Sequence, residues 1–236
     1  MPLREAMETQ RAIRRLKPDP VDDELIVRCI EMALKAPTGG NAQNWEWIVV
    51  RDPSVKANLA RLYRQAWRLY GGLGRIRVGG NEKMQRVIRA VQWQVDHFEE
   101  VPVLVVPCLR GALPRFLCFT PVGASSHFGS IYPAIQNFLL ACRAEGLGAA
   151  LTTLPVWSTT LARRALGLPW NVQPCAVIPV GWPRGRYGPT SRKPAEKVVH
   201  YDRWGNRKAG SARAGAAPSS SSPTAQSPAR RRRPRS

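Results

Sequence analysis

Acid and histidine are scarce in this chain: 16 Asp and Glu stand against 36 Lys and Arg, with 3 His, for a formal net charge of +20 over 236 residues. His97, His127 and His200 lie far apart without neighbouring ligand types, which leaves a zinc site or a His-assisted nucleophile without support. The cysteines, Cys29, Cys108, Cys118, Cys142 and Cys175, are odd in number, widely spaced and without a C-x-x-C pair. They read as buried reduced thiols, not as a disulfide framework. Long apolar runs are missing too. "VPVLVVPCL", residues 101–109, is among the longest, well short of the roughly 18 to 20 residues of a membrane span. "MPLREAMETQRAIRRLK" spreads charge along the N-terminus and has no apolar centre, unlike a secretory signal. The expectation is a soluble, cytoplasmic protein with no membrane partner.

What is present is enough to bury a core. With 44% hydrophobic residues, the length suits one domain over 1–208 followed by a tail at 209–236. The tail holds six arginines, Arg213, Arg230 to Arg233 and Arg235, and no acid, so +14 of the +20 remains on the body. Rich in Ser, Pro and Ala and nearly without large apolar side chains, it cannot offset its ordering entropy and is predicted to be disordered. Its "RRRRPR" run reads either as a solvated charge run or as a contact for acidic partners. Nucleic acid is expected as a partner through this tail or not at all.

Hydrophobic spacing predicts the elements. Asp22, Asp23 and Glu24 complement a helix N-terminal dipole, and Leu25, Ile26, Cys29, Ile30, Ala33 and Leu34 recur at helical spacing until Pro37. "EWIVV" predicts a buried strand, and residues 54–72 and 82–99 two helices parted by "GGLGRIRVGG" at 71–80. "VPVLVVPCL" predicts a second strand. In "GSIYPAIQNFLLACRAEGLGAALTTLP", residues 129–155, a helix ends at "GLG" and the strand "AALTTL" follows. A short helix at 159–169 and the strand "PCAVIPVGWP" at 174–183 complete an α/β or α+β layered domain.

Three segments carry candidate chemistry. "QRAIRRLKP", residues 10–18, concentrates Arg11, Arg14, Arg15 and Lys17, either a solvated face or an anchor for phosphate, whose oxygens guanidinium forks bind bidentately. The loop in "LKAPTGGNAQNWEWIVV" assembles Gly39, Gly40, Asn41, Gln43 and Asn44 between a helix and a strand. It fits an ordinary tight turn, or a backbone and amides brought close to a small polar ligand. "GRYGPTSRKPAEKVV" adds Arg192 and Lys193 beside Thr190 and Ser191. Together these are what a phosphorylated heteroaromatic cofactor requires: cations for the phosphate and amides for the ring edge.

In order and spacing, "TQRAIRRLKPDPV", "APTGGNAQNWEWIVV", the 129–155 segment and "VIPVGWPRGRYGPTSRKPAEKVVHYDRWG" resemble the FMN-dependent nitroreductase family over about residues 8–205. The resemblance implies an α+β fold, a mixed central sheet flanked by helices, with FMN at the dimer interface. By position it implies that Arg11, Ala12 and Arg14 hold the FMN phosphate and ribityl chain. Thr38, Gly39, Asn41 and Gln43 would contact the flavin across the interface, Thr152 and Thr153 would lie near its reactive edge, and Arg192, with Lys193, would return to the phosphate. A glycine-rich dinucleotide loop is absent, as suits a family that holds FMN without one. Ala12 stands where Ser is usual, and Asn44 where Pro is usual, a change expected to loosen the loop. The segment from Gly71 to Glu99, which tends to shape substrate access in the family, matches no pattern.

The implied activity is ping-pong hydride transfer from NADH or NADPH through FMN to an electron-poor small molecule such as a nitroaromatic or a quinone, with no side chain as catalyst. The implied assembly is a homodimer, with "EKVVHYDRW" at 196–204 as the arm that crosses to the partner. The rival readings are a flavin-binding storage or sensor protein of the same family and a basic nucleic-acid-associated protein.

Overall fold

The computed structural model describes residues 1–78, 81–111, 125 and 128–207. The tail at 209–236, with the disorder read for it, and Cys118 and His127 lie outside these residues. The described residues fall into two units, one within Met1–Thr190 and the other beginning at Ser191.

The first unit contains helices α1 Leu3–Thr9, α2 Asp23–Ala33, α3 Pro53–Val78, α4 Glu82–Asp96, α5 Ile131–Ala144 and α6 Thr159–Leu166. Its strands are β1 Trp45–Val50, β2 Val103–Arg110, β3 Gly148–Ala149, β4 Val172–Pro174 and β5 Ile178–Gly181. Strand β2 is central. It pairs with β1 on one side, Trp45 opposite Leu109 and Val50 opposite Leu104, and with β5 and β4 on the other, Val105 opposite Ile178 and Cys108 opposite Pro174. Strand β3 extends the sheet from β5. This is the α+β arrangement expected, although every pairing among the described residues is antiparallel rather than mixed.

The continuous apolar run of β2 follows from helices covering both sheet faces. Val103, Val105 and Leu109 face a layer built on α2 and α5, where Ile26, Cys29, Ile135 and Phe138 pack. Leu104, Val106 and Cys108 face the opposite layer, where Leu59 and Tyr63 of α3 and Val95 of α4 pack. Burial pushes the thiols of Cys108 and Cys175 up to about 12, so both stay protonated at neutral pH. Cys29 and Cys142 are also buried and free. Among the described residues no helix is long and apolar enough to cross a membrane.

Three elements depart from the expectations. Helix α3 does not stop at Gly71 but runs on to Val78. A Cβ at Gly71 would lie 3.1 Å from the Trp67 indole, so the glycine that reads as a break makes room for the half-turn above a buried tryptophan. The strand expected over 149–154 shortens to β3, an isolated bridge between Thr152 and Val177, and a turn of 3-10 helix at Leu154–Val156. Pro155 has no N–H to extend a ladder. Helix α1 was not expected, because it spans only seven residues and buries Ala6 alone.

In the second unit, Ala195–Lys197 forms a 3-10 turn. The His200 ring stacks on Trp204 with centroids 4.2 Å apart, and the Gly205 N–H donates to His200 Nδ1. Val198, Val199, Tyr201 and Trp204 are all exposed, Trp204 to 90%.

Candidate functional site

Residues 11–17 run as an extended segment along the far end of the sheet. The Ile13 N–H donates to the Ala149 carbonyl at 3.0 Å, Lys17 N–H to the Trp182 carbonyl at 2.7 Å, and Arg184 N–H to the Arg15 carbonyl at 3.0 Å. Leu16 completes an antiparallel bridge with Pro183, and Arg184 Nε donates to the Leu16 carbonyl at 2.9 Å. Ile13 and Leu16 turn inward over Gly148, where a Cβ would lie 2.9 Å from Ile13 Cγ2 and 2.6 Å from Leu16 Cδ2. With the apolar residues anchored, the arginines between them face outward.

They face a cavity of about 660 Å³. The segment contributes Arg11, Ala12, Ile13, Arg14 and Arg15; α4 contributes Arg86, Arg89, Ala90 and Trp93; the loop after β5 contributes Arg184, Gly185 and Arg186. Trp93 is a cation platform: Arg15 and Arg184 lie 5.9 and 5.5 Å from its ring, and its indole stacks on His97 at 4.2 Å. Among the described residues only Arg86 of the seven arginines has a carboxylate partner, Glu82 at 3.6 Å, and both groups are largely exposed, where an ion pair contributes little. Uncompensated guanidinium groups around a concavity suit a phosphorylated ligand.

Arg14 is half-buried, and burial draws its guanidinium below its usual value while Tyr63 opposes the shift. Tyr63, on α3, is fully buried against Phe98, with ring centroids 5.0 Å apart. Burial pushes its phenol up, opposed by a hydrogen bond with Thr152 and by the charge of Arg14. Buried Gln94 of α4 adds a weak contact, its Oε1 3.5 Å from the Tyr63 hydroxyl, and among the described residues its Nε2 has no hydrogen-bond partner.

The structure therefore brings Arg11, Ala12 and Arg14 together, while Thr152, bridged to Val177, and the exposed Thr153 are not among the residues that line the cavity. Thr38, Gly39, Asn41 and Gln43 line no part of this cavity. Their loop sits at the start of β1, where Gly39 N–H donates to Ser130 Oγ at 3.3 Å, Gln43 N–H to Thr38 Oγ1 at 3.2 Å, and Gln43 Nε2 to Asn41 Oδ1 at 2.9 Å. Asn41 and Gln43 adopt positive φ, 52° and 45°, which costs a residue with a Cβ roughly 1–2 kcal/mol. Asn44 does not loosen the loop as expected. Its Nδ2 donates to the Arg110 carbonyl at 3.0 Å and its own carbonyl accepts from the Arg110 N–H at 2.8 Å, so it clamps the loop to β2. Arg192 and Lys193 belong to the second unit and are exposed, and Arg192 Nη1 donates to the Ser191 carbonyl at 2.9 Å.

Five lining residues escaped the sequence reading: Arg86, Arg89, Trp93, Arg184 and Arg186. The first three carried a signal, since positions 86, 89 and 93 share one helical face. Arg184 and Arg186 carried none, because only the bridge from Leu16 to Pro183 brings them there.

The sequence model of the nitroreductase family matches residues 7–182. The chain belongs to the nitroreductase family. Among relatives, an NADH dehydrogenase of Thermus thermophilus is 29% identical over 202 residues, spanning 80% of this chain and 91% of that protein. An iodotyrosine deiodinase of Nematostella vectensis is 23% identical over 202 residues, 82% of this chain and 72% of that protein. The crystal structure of an oxidized iodotyrosine deiodinase bound to FMN and 3-iodo-L-tyrosine covers 86% of this chain and 100% of its own, with a TM-score of 0.68 at 22% identity, a likeness of fold.

Proposed function

We propose that the chain is an FMN-dependent oxidoreductase that carries electrons from NAD(P)H to an electron-poor small molecule such as a nitroaromatic or a quinone. The observation that supports it most is the arginine-lined cavity along residues 11–17 in a chain of the nitroreductase family. Its donor set fits the phosphate of FMN: Arg11 and Arg14 offer planar forks, and the half-buried position of Arg14 strengthens a charge-assisted contact. Ala12 offers backbone but no hydroxyl. Thr152, bonded through its backbone to Val177, and Thr153 take the place that the resemblance puts near the flavin's reactive edge. FMN, held by Arg11 and Arg14, would supply the redox chemistry of hydride transfer between the nicotinamide and the acceptor.

The loop of Thr38, Gly39, Asn41 and Gln43 is assigned to the flavin of a partner subunit. Its distance in sequence and structure from the cavity of its own chain, and the exposed apolar residues at 198–204, both suit a homodimer that completes each site from two chains. The resemblance adds Arg192 and Lys193, whose replacement by alanine is expected to weaken flavin binding.

The test is an absorption spectrum of the purified protein followed by anaerobic addition of NADH or NADPH. Flavin bands that bleach, and return when a nitroaromatic, a quinone or 3-iodo-L-tyrosine is added, are the expected result and identify the acceptor class. Bands that stay oxidised with both donors would leave a flavin carrier. A colourless protein after incubation with FMN would overturn the site.

A further inference from the structure

We propose that the outer arginines of the cavity make NADPH the preferred donor by binding its 2′-phosphate. The inference rests on the flavin reading for the use of Arg11 and Arg14, and it concerns the cations left over once the flavin phosphate is held. Arg86 and Arg89 lie one turn apart on α4, and Arg184 and Arg186 line the same cavity from the loop after β5. Trp93, on α4 with Arg86 and Arg89, orients Arg184 by a cation–π contact at 5.5 Å.

The charge balance favours a second, more highly charged ligand. Seven guanidinium groups line the cavity and Glu82 pairs with one of them, so the net local charge is +6. A phosphomonoester carries about −1.5 to −2 at neutral pH, which leaves roughly +4 after the flavin phosphate is bound. A pyrophosphate linkage alone, as in NADH, supplies about −2, whereas the added 2′-phosphate of NADPH brings the total to about −4. Like charges at i and i+3 on a helix repel, so Arg86 and Arg89 gain from a shared anion. A terminal phosphate also presents three oxygens, which suits convergent guanidinium forks better than a bridging diester does.

The experiment uses the donor's phosphate-bearing half, so that binding is read without turnover. Calorimetry on the flavin-loaded full chain compares adenosine 2′,5′-bisphosphate with 5′-AMP, for the wild type and for the Arg86→Gln, Arg89→Gln double variant. Both positions are exposed on α4, and glutamine is as good a helix former as arginine. The wild type is expected to bind the bisphosphate at least about tenfold more tightly, since one charge-assisted contact is worth a factor of that order. The double variant is expected to lose that preference. Affinities within twofold of each other in the wild type, a preference that survives in the variant, or inorganic pyrophosphate binding as tightly as the bisphosphate would overturn the proposal, the last by showing a general anion surface. Flavin bleaching on the same samples separates the two readings. A wild type that bleaches but shows no preference for the bisphosphate removes only the donor assignment, whereas a wild type that bleaches with neither donor removes the reductase.

Discussion

Gly148 fixes how closely the basic segment lies on the sheet. A methyl group there would meet Leu16 Cδ2 at 2.6 Å and Ile13 Cγ2 at 2.9 Å, separations that side chains do not tolerate. Both neighbours are themselves packed, Leu16 being 4% exposed, so the strain moves the segment and not a free side chain. Gly148→Ala is expected to cost about 1–3 kcal/mol in a urea unfolding curve and to weaken flavin binding in a fluorescence titration, because the displaced residues flank Arg14. Unchanged flavin affinity in a destabilised variant would separate the packing of the segment from its function. Arg11 and Arg14 were legible in the sequence because a local run of guanidinium groups already carries its chemistry. The tightness at Gly148 was not, since it depends on a side chain 132 residues away in the chain, at Leu16.

Helix α4 carries the part of the cavity that the sequence reading left unassigned. Its amphipathic pattern was readable, but two faces matter: Gln94 and Val95 enter the core, while Arg86, Arg89 and Trp93 turn to the cavity. Only the packing of α4 against α3 and the position of the 11–17 segment decide which polar face meets another wall. Asn81 caps the helix, its side chain accepting the Met84 N–H at 3.2 Å, within two turns of Arg86. Asn81→Ala removes this cap and is expected to lower stability by about 1 kcal/mol in thermal or urea unfolding. Fraying of the first turn also loosens Arg86, so the preference for adenosine 2′,5′-bisphosphate should fall while flavin content stays constant. The helices and strands of the core were legible because their apolar periodicity is local. The run of α3 through Gly71 and the shortening of the strand after β3 were not, because a buried tryptophan decides the first and the docking of Thr152 on Val177 limits the second.

At the scale of the whole molecule, one chain holds the two halves of the proposed flavin site without joining them. Arg11 and Arg14 face the cavity, whereas Asn41 and Gln43 belong to a loop pinned to Ser130 and Arg110 at the other end of β1. Rigid clamps of this kind, including the bonds of Asn44, argue against the loop folding back onto its own cavity. A dimer in which each chain lends its loop to the other's arginines resolves the separation, and it makes a complementation test decisive. A chain with Arg11→Ala and Arg14→Ala, and a second with Asn41→Ala and Gln43→Ala, should each bind flavin poorly as homodimers. Unfolded together and refolded as a mixture, they form mixed dimers in which one site receives both wild-type halves and the other receives neither. Recovery of flavin in one site per mixed dimer, read from the absorbance of the separated heterodimer, is the expected outcome. If each site were built within one chain, both sites of every mixed dimer would remain defective and no flavin would return.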